Sequence, residues 1–161
     1  MSDIQTLDLK GFVIHSVESV FQTMLSMEIE LENPAVKESI GNNGLIVGTV
    51  GFAGKIIGNI NLFVSRAFGR EMASAMLGMT VDEIGSGEEV NDVIGEVCNM
   101  VGGEMKSRLC DAGLNCSLSI PSVTYGNDFK IESKGWGQHE QLGFRNRQHS
   151  GLLEIYVKSA N

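Results

Sequence analysis

The sequence predicts an α+β fold, an antiparallel sheet packed against long helices in a single domain. Three observations predict it. The chain has 161 residues, a length that suits one substantial hydrophobic core. Its periodicities are segregated: a helical stretch, two β-rich runs, two helices, then three or four strands, rather than alternating β-α-β units. No linker or low-complexity stretch divides it, so residues 1–161 are read as one domain. With 42% hydrophobic and 20% charged residues, the composition is that of a globular protein, neither disordered nor fibrous.

Taken in order, residues 10–27 carry Phe12, Val13, Val17, Val20, Phe21, Met24 and Met27 at helical spacing, which predicts an amphipathic first helix. Pro34 follows in a polar loop. Residues 41–65 form two β-rich runs joined by Ala53-Gly54-Lys55, a glycine-rich hairpin. A phosphate loop is excluded there. The Walker pattern wants glycine where Thr49 stands and Ser or Thr where Ile56 stands. Ser65 is an N-cap for a helix through Leu77, ended by Gly78. Thr80 with Glu83, and Ser86 with Glu89, have capping-box spacing. The second pair opens the longest helix, 87–111, with Gly113 just beyond it. The rest is β-rich: Cys116–Tyr125, Asp128–Ser133, His139–Arg145 and Gly151–Lys158, the last with Leu153, Ile155 and Val157 on one face.

Charge and cysteine usage exclude several function classes. Twelve Lys and Arg against 20 Asp and Glu give a net charge of -8. Nucleic acid needs clustered cations to neutralise its phosphates, so it is not the expected partner. No apolar run approaches the ~20 residues of a membrane span, and MSDIQTLDLK is not a signal peptide. A cytoplasmic protein with no membrane attachment is expected. Cys98, Cys110 and Cys116 are odd in number and read as free thiols. His15, His139 and His149 are scattered, and only His139 has an acidic neighbour, Glu140. Neither a metal site nor a G-x-S-x-G nucleophile is evident.

The long helix carries the candidate chemistry. At 100° per residue, Val90, Val93, Ile94, Val97, Met100, Val101 and Met105 share the core arc, while Glu88, Asp92, Glu96, Asn99, Gly103 and Lys106 lie opposite. Asp92, Glu96 and Asn99 form one line along the exposed side. Each helical glycine costs about 1 kcal/mol relative to alanine. Packing can account for Gly95 or Gly102, but Gly103 points the same way as Glu96 and Asn99. On the residues alone, an ordinary solvated face and a face approached by another molecule both stand. Glu104 and Arg108, four apart on the apolar side, are expected to form an ion pair. Cys98 is expected to pack to the side.

The pattern Asp92-x-x-x-Glu96-x-x-Asn99, with Pro121 twenty-two residues beyond Asn99, resembles the signature of the CheC/CheX/FliY phosphatases of bacterial chemotaxis. The segment from Met79 to Ser133, with LGMTVDEI before the helix and SIPSVTYGNDFKIES after it, is similar to the CheX-type members throughout. The first helix offers Glu18 but has Phe21 where a second motif would need Asn. As in CheX-type members, one active face per chain is implied.

That resemblance implies a CheC-like fold and a homodimer. It also implies hydrolysis of the phosphoaspartate of a CheY-like response regulator. Acyl phosphate hydrolysis passes through a loose transition state and needs a positioned water more than a strong base. Asn99, as a neutral amide with donor and acceptor, suits that task. Glu96 is expected to pair with a lysine of the regulator, because its charge would be repelled by a bare phosphoryl group. Asp92 would sit at the edge of the contact, and Gly103 would clear space for it. Magnesium is expected from the regulator, with no cofactor or metal of this chain's own. Two other readings remain: a CheC-like module that docks a regulator without turnover, and a structural homodimer whose helix face is ordinary surface.

Overall fold

The computed structural model describes residues 4–33, 44–85, 87–126 and 137–160. Helix α1 spans Leu9–Leu25. It begins earlier than the apolar spacing suggested because the Asp8 carboxylate caps it, accepting the Gly11 N–H at 3.1 Å. Ser26, in the left-handed region, closes it. Helix α2 spans Arg66–Leu77, with the expected Ser65 hydroxyl accepting the Phe68 N–H at 3.0 Å and Gly78 left-handed at its end. Helix α3 spans Gly87–Asp111. Before it, the Glu83 carboxylate accepts the Thr80 N–H at 3.0 Å and the Thr80 hydroxyl at 2.9 Å. Those bonds, the backbone one foremost, hold its pKa below the ordinary carboxylate value. Of the second proposed capping pair, Ser86 lies outside the described residues.

The described strands form one antiparallel sheet: β1 (Glu30–Glu32), β2 (Leu45–Gly54), β3 (Ile56–Ser65), β4 (Cys116–Leu118), β5 (Ser122–Gly126), β6 (Gln138–Asn146) and β7 (His149–Ser159). Across the sheet the order is β1-β6-β7-β3-β2, with β4 and β5 following one another along the outer edge of β2. The hairpin expected in residues 41–65 is β2 and β3, registered from Leu45 opposite Ser65 to Ala53 opposite Ile57. Gly54 turns it at φ +154, where an added Cβ would stand 2.5 Å from the Asn115 carbonyl oxygen. Glycine is required there both by the backbone angle and by the approach of that chain.

Two local expectations are corrected. Cys116–Tyr125 is two strands rather than one. The expected Glu104–Arg108 ion pair is not formed, and Arg108 Nε is buried without a hydrogen-bond partner. Spacing allows such a pair to contribute a few tenths of a kcal/mol, less than the rotamer freedom its ordering removes. Strand β1 was not anticipated at all. The strand expected at Asp128–Ser133 lies outside the described residues.

All three described helices bury their apolar sides against one face of the sheet. Phe21 of α1, Phe68 of α2 and Phe144 of β6 meet at its centre, with ring centroids 5.1 to 6.2 Å apart. Leu153, Ile155 and Val157 of β7 are fully buried on that face, as their alternation predicted. Phe21, which occupies the position where a second motif would need Asn, is a core residue with no exposed surface. Position 21 therefore offers no amide to a partner, although Glu18 is exposed. On the other side of the sheet Val47, Phe63 and Leu152 form a smaller buried cluster.

Candidate functional face on helix α3

Helix α3 lies against β2 with its apolar arc inward. Val90, Val93, Ile94, Val97, Val101 and Met105 are all buried, and Met100 is half-buried. Cys98 is buried too, its Cβ only 3.0 Å from where a Gly48 Cβ would stand. Burial pushes its thiol up to about 12, so it is an inert packing group at neutral pH. On the opposite arc Glu88, Asp92 and Glu96 are exposed, and Asn99, Gly103 and Lys106 are half-buried. The predicted line is thus present. From Asp92 to Asn99 it covers about two helical turns, roughly 10 Å. Among the described residues, the Asp92, Glu96 and Asn99 side chains make no hydrogen bond or ion pair. Their polar atoms face solvent, which leaves them open to an incoming group.

Gly95, Gly102 and Gly103 of α3 separate as the sequence suggested. A Cβ on Gly95 would meet Val123 at 3.2 Å, and one on Gly102 would meet Val50 at 3.2 Å. Both are small so that α3 can lie close to the sheet. A Cβ on Gly103 would have nothing within 4 Å. Packing does not require that glycine. Gly103→Ala should accordingly raise stability by about 1 kcal/mol, whereas Gly102→Ala should gain nothing, because the new methyl crowds Val50. Chemical denaturation of the two variants measures the difference.

A cleft of about 590 Å³ adjoins the N-terminal end of this line, lined by Ile46, Arg66, Arg70, Val90, Asn91 and Tyr125 among others. Arg70 is committed to the fold, donating to the carbonyls of Val81 at 2.9 Å and Ile84 at 3.2 Å. Among the described residues the Arg66 side chain makes no hydrogen bond or ion pair. Sequence reasoning missed this cleft because its residues come from α2, α3, β2 and β5, and no local spacing links them. Glu96 and Asn99 do not line it. They stand on a convex helix surface, a shape that enters another molecule's pocket more readily than it encloses a small substrate. Among the described residues no three His, Cys, Asp or Glu side chains gather as a metal site would need, and no described helix is long and apolar enough to cross a membrane.

Residues 46–144, more than half of the chain, match the family described as chemotaxis phosphatase CheX. The chain belongs to the CheX family. The matched stretch includes Asp92, Glu96, Asn99, Gly103 and Pro121, and it leaves α1 outside. A relative in Thermotoga maritima, the CheY-P phosphatase CheX, is 28% identical over 124 residues, covering 76% of this chain and 79% of that protein. Among solved structures, the chemotaxis protein CheX of Vibrio vulnificus superimposes with a TM-score of 0.81 at 25% identity, over 98% of this chain and all of that one. The CheX of Borrelia burgdorferi, solved in complex with CheY, BeF3 and Mg2+, has a TM-score of 0.74 at 22% identity, over 94% and 99% of the two chains. The expected α+β fold is the fold of CheX proteins.

Proposed function

We propose that this chain hydrolyses the phosphoaspartate of a CheY-like response regulator by inserting the α3 face, with Glu96 and Asn99, into the regulator's phosphorylation site. The observation that carries the proposal is the unpartnered line of Asp92, Glu96 and Asn99 on a convex helix, with Gly103 bare beside it. Membership of the CheX family supports it. The Thermotoga relative is named for CheY-P phosphatase activity, and the Borrelia CheX was captured with CheY.

The chemistry follows from the residue types. The transition state of phosphoryl transfer is loose, so a water held in line contributes more than its deprotonation. The Asn99 amide, with both an acceptor and a donor, can fix that water in line without adding charge. Glu96, four residues from Asp92 and three from Asn99, enters beside it and pairs with a lysine of the regulator. That pairing registers the helix in the site and neutralises a carboxylate that would otherwise repel the phosphoryl group. Asp92 steers at the rim. Gly103 lets the partner's backbone approach. The magnesium ion sits in the regulator's acidic pocket and arrives with the substrate.

Inorganic phosphate release from phosphorylated regulator tests this directly. The expected result is release many times faster than the regulator's own decay, with turnover at substoichiometric amounts of this chain. Co-elution of the two proteins without accelerated release would instead support a docking module of the same fold.

A further inference from the structure

Beside α3, the edge strand of the sheet is interrupted at one place. Leu118 of β4 pairs with Phe52, and Ser122 of β5 pairs with Thr49. Three residues, Ser119, Ile120 and Pro121, therefore oppose two, Val50 and Gly51. This is a bulge, a device that re-aims a side chain at a sheet edge. It is not a loose loop. The Ser119 N–H donates to the Gly51 carbonyl at 2.9 Å, and the Ser119 hydroxyl accepts the Gly51 N–H at 2.8 Å. The residue it presents is Ile120, 89% exposed.

The position of the bulge along α3 is set by the helical glycines. Leu118 lies 3.6 Å from where a Gly102 Cβ would be, and Val123 lies 3.2 Å from that of Gly95. The bulge falls between those two levels, beside Asn99. Two residues past Val123, Tyr125 is 61% exposed and shares the cleft with Asn91. One exposed apolar side chain is ordinary. Here two stand on the strand that runs alongside the Asp92–Glu96–Asn99 line, one at each end, and one is held there by a hydrogen-bonded bulge. A molecule that lowers its surface onto that line must also cover them.

We propose that Ile120 and Tyr125 form the apolar half of the docking surface for the phosphorylated regulator. The occupant is an apolar patch bordering the regulator's phosphorylation pocket. This rests on the phosphatase reading above for the identity of the partner. Under it, the acidic line and the apolar rail divide the work: Glu96 and Asn99 meet the reacting site, and Ile120 and Tyr125 supply contact area that exists equally in ground and transition states. Contacts of that kind change KM rather than kcat.

The test is Ile120→Ser assayed on phosphorylated CheY-type regulator, together with binding of the beryllofluoride-Mg2+ form of that regulator. KM and Kd should rise about tenfold, the loss expected when one buried isoleucine side chain is removed from a contact, and kcat should stay within about twofold. Ile120→Val should retain most of the affinity, and Tyr125→Ser should weaken binding in the same sense. The thermal midpoint should not change, since the Ile120 side chain is almost wholly in solvent. An Ile120→Ser protein with wild-type KM and Kd overturns the proposal. So does a change of oligomeric state in light scattering with regulator binding kept, which would make the occupant a second copy of this chain. Wild-type protein that binds the beryllofluoride form more tightly than Ile120→Ser, yet releases no phosphate, would leave the rail standing and sink the phosphatase reading alone. Absence of any binding by the wild type would overturn both.

Discussion

Asn99→Ala should lower regulator dephosphorylation by about a hundredfold or more, toward the regulator's intrinsic rate, the scale of loss when a reacting group is no longer held in line. It should do so without unfolding the protein. Among the described residues the Asn99 side chain makes no hydrogen bond, so its removal leaves no buried group unsatisfied. The amide is proposed to hold a water and not to grip the regulator, so the affinity for a beryllofluoride-loaded regulator should stay within about threefold of wild type while kcat collapses. Asn99→Asp is the sharper comparison. It is nearly isosteric and keeps an acceptor, but it loses the donor and brings a negative charge toward the phosphoryl oxygens. At an effective dielectric of 20, two unit charges 4 Å apart interact by about 4 kcal/mol. Asn99→Asp should thus weaken binding as well as abolish turnover. Phosphate release at the wild-type rate by Asn99→Ala would remove the amide from the mechanism.

How far this could be read from the chain depends on whether the relevant contacts are local. Helix α3 was legible to its ends, since the Ser86–Glu89 capping spacing, a glycine beyond the last turn and a 3.6-residue apolar period are all short-range signals. The same period placed Asp92, Glu96 and Asn99 on its open side and left Gly103 without a packing reason. Strand β1 was not legible. Its three residues pair with β6, where Arg145 bonds Glu30 at 2.7 Å and reaches Glu32 at 4.0 Å from more than a hundred positions away. The bulge at Ser119–Pro121 was hidden for the same reason, because a bulge is defined by the register of a partner strand. Glu154 shows a third kind of failure. Alternation along β7 puts it on the face away from the helices, yet it is only 1% exposed. Gln141 donates to its carboxylate at 2.9 Å, Tyr156 at 2.7 Å, and His139 approaches at 3.3 Å. Burial and this carboxylate together hold the Tyr156 phenol above its usual pKa. The acidic partner of His139 is therefore Glu154 across the strand pair, not its sequence neighbour Glu140. Chemistry was the least local of all. Periodicity showed a bare helix face, and only likeness to a family gave that face a reaction.

Glu96→Ala should also remove stimulated dephosphorylation, but by a different route that a binding measurement separates from Asn99→Ala. If Glu96 registers the helix through a lysine of the regulator, truncation leaves that lysine desolvated and unpaired in the complex. Losing one member of a buried charge pair costs about 2–5 kcal/mol, so affinity should fall by about thirtyfold or more. The loss must be in the complex and not in the fold, because Glu96 is exposed and among the described residues makes no ion pair or hydrogen bond. Salt gives an independent check. Wild-type affinity should decline with ionic strength as the attraction between the separated, hydrated Glu96 and lysine charges is screened, and Glu96→Gln, which keeps the shape, should decline less steeply. Its neighbour Asp92 supplies the internal control. At the edge of the contact it is hydrated and screened, so Asp92→Asn should slow association modestly and change the dissociation rate little. An exchange in the opposite sense, with Asp92→Asn disabling the protein and Glu96→Ala tolerated, would shift the registering carboxylate one turn toward the Arg66 cleft. It would then be inconsistent for Asn99, two turns away, to hold the attacking water at the same pocket.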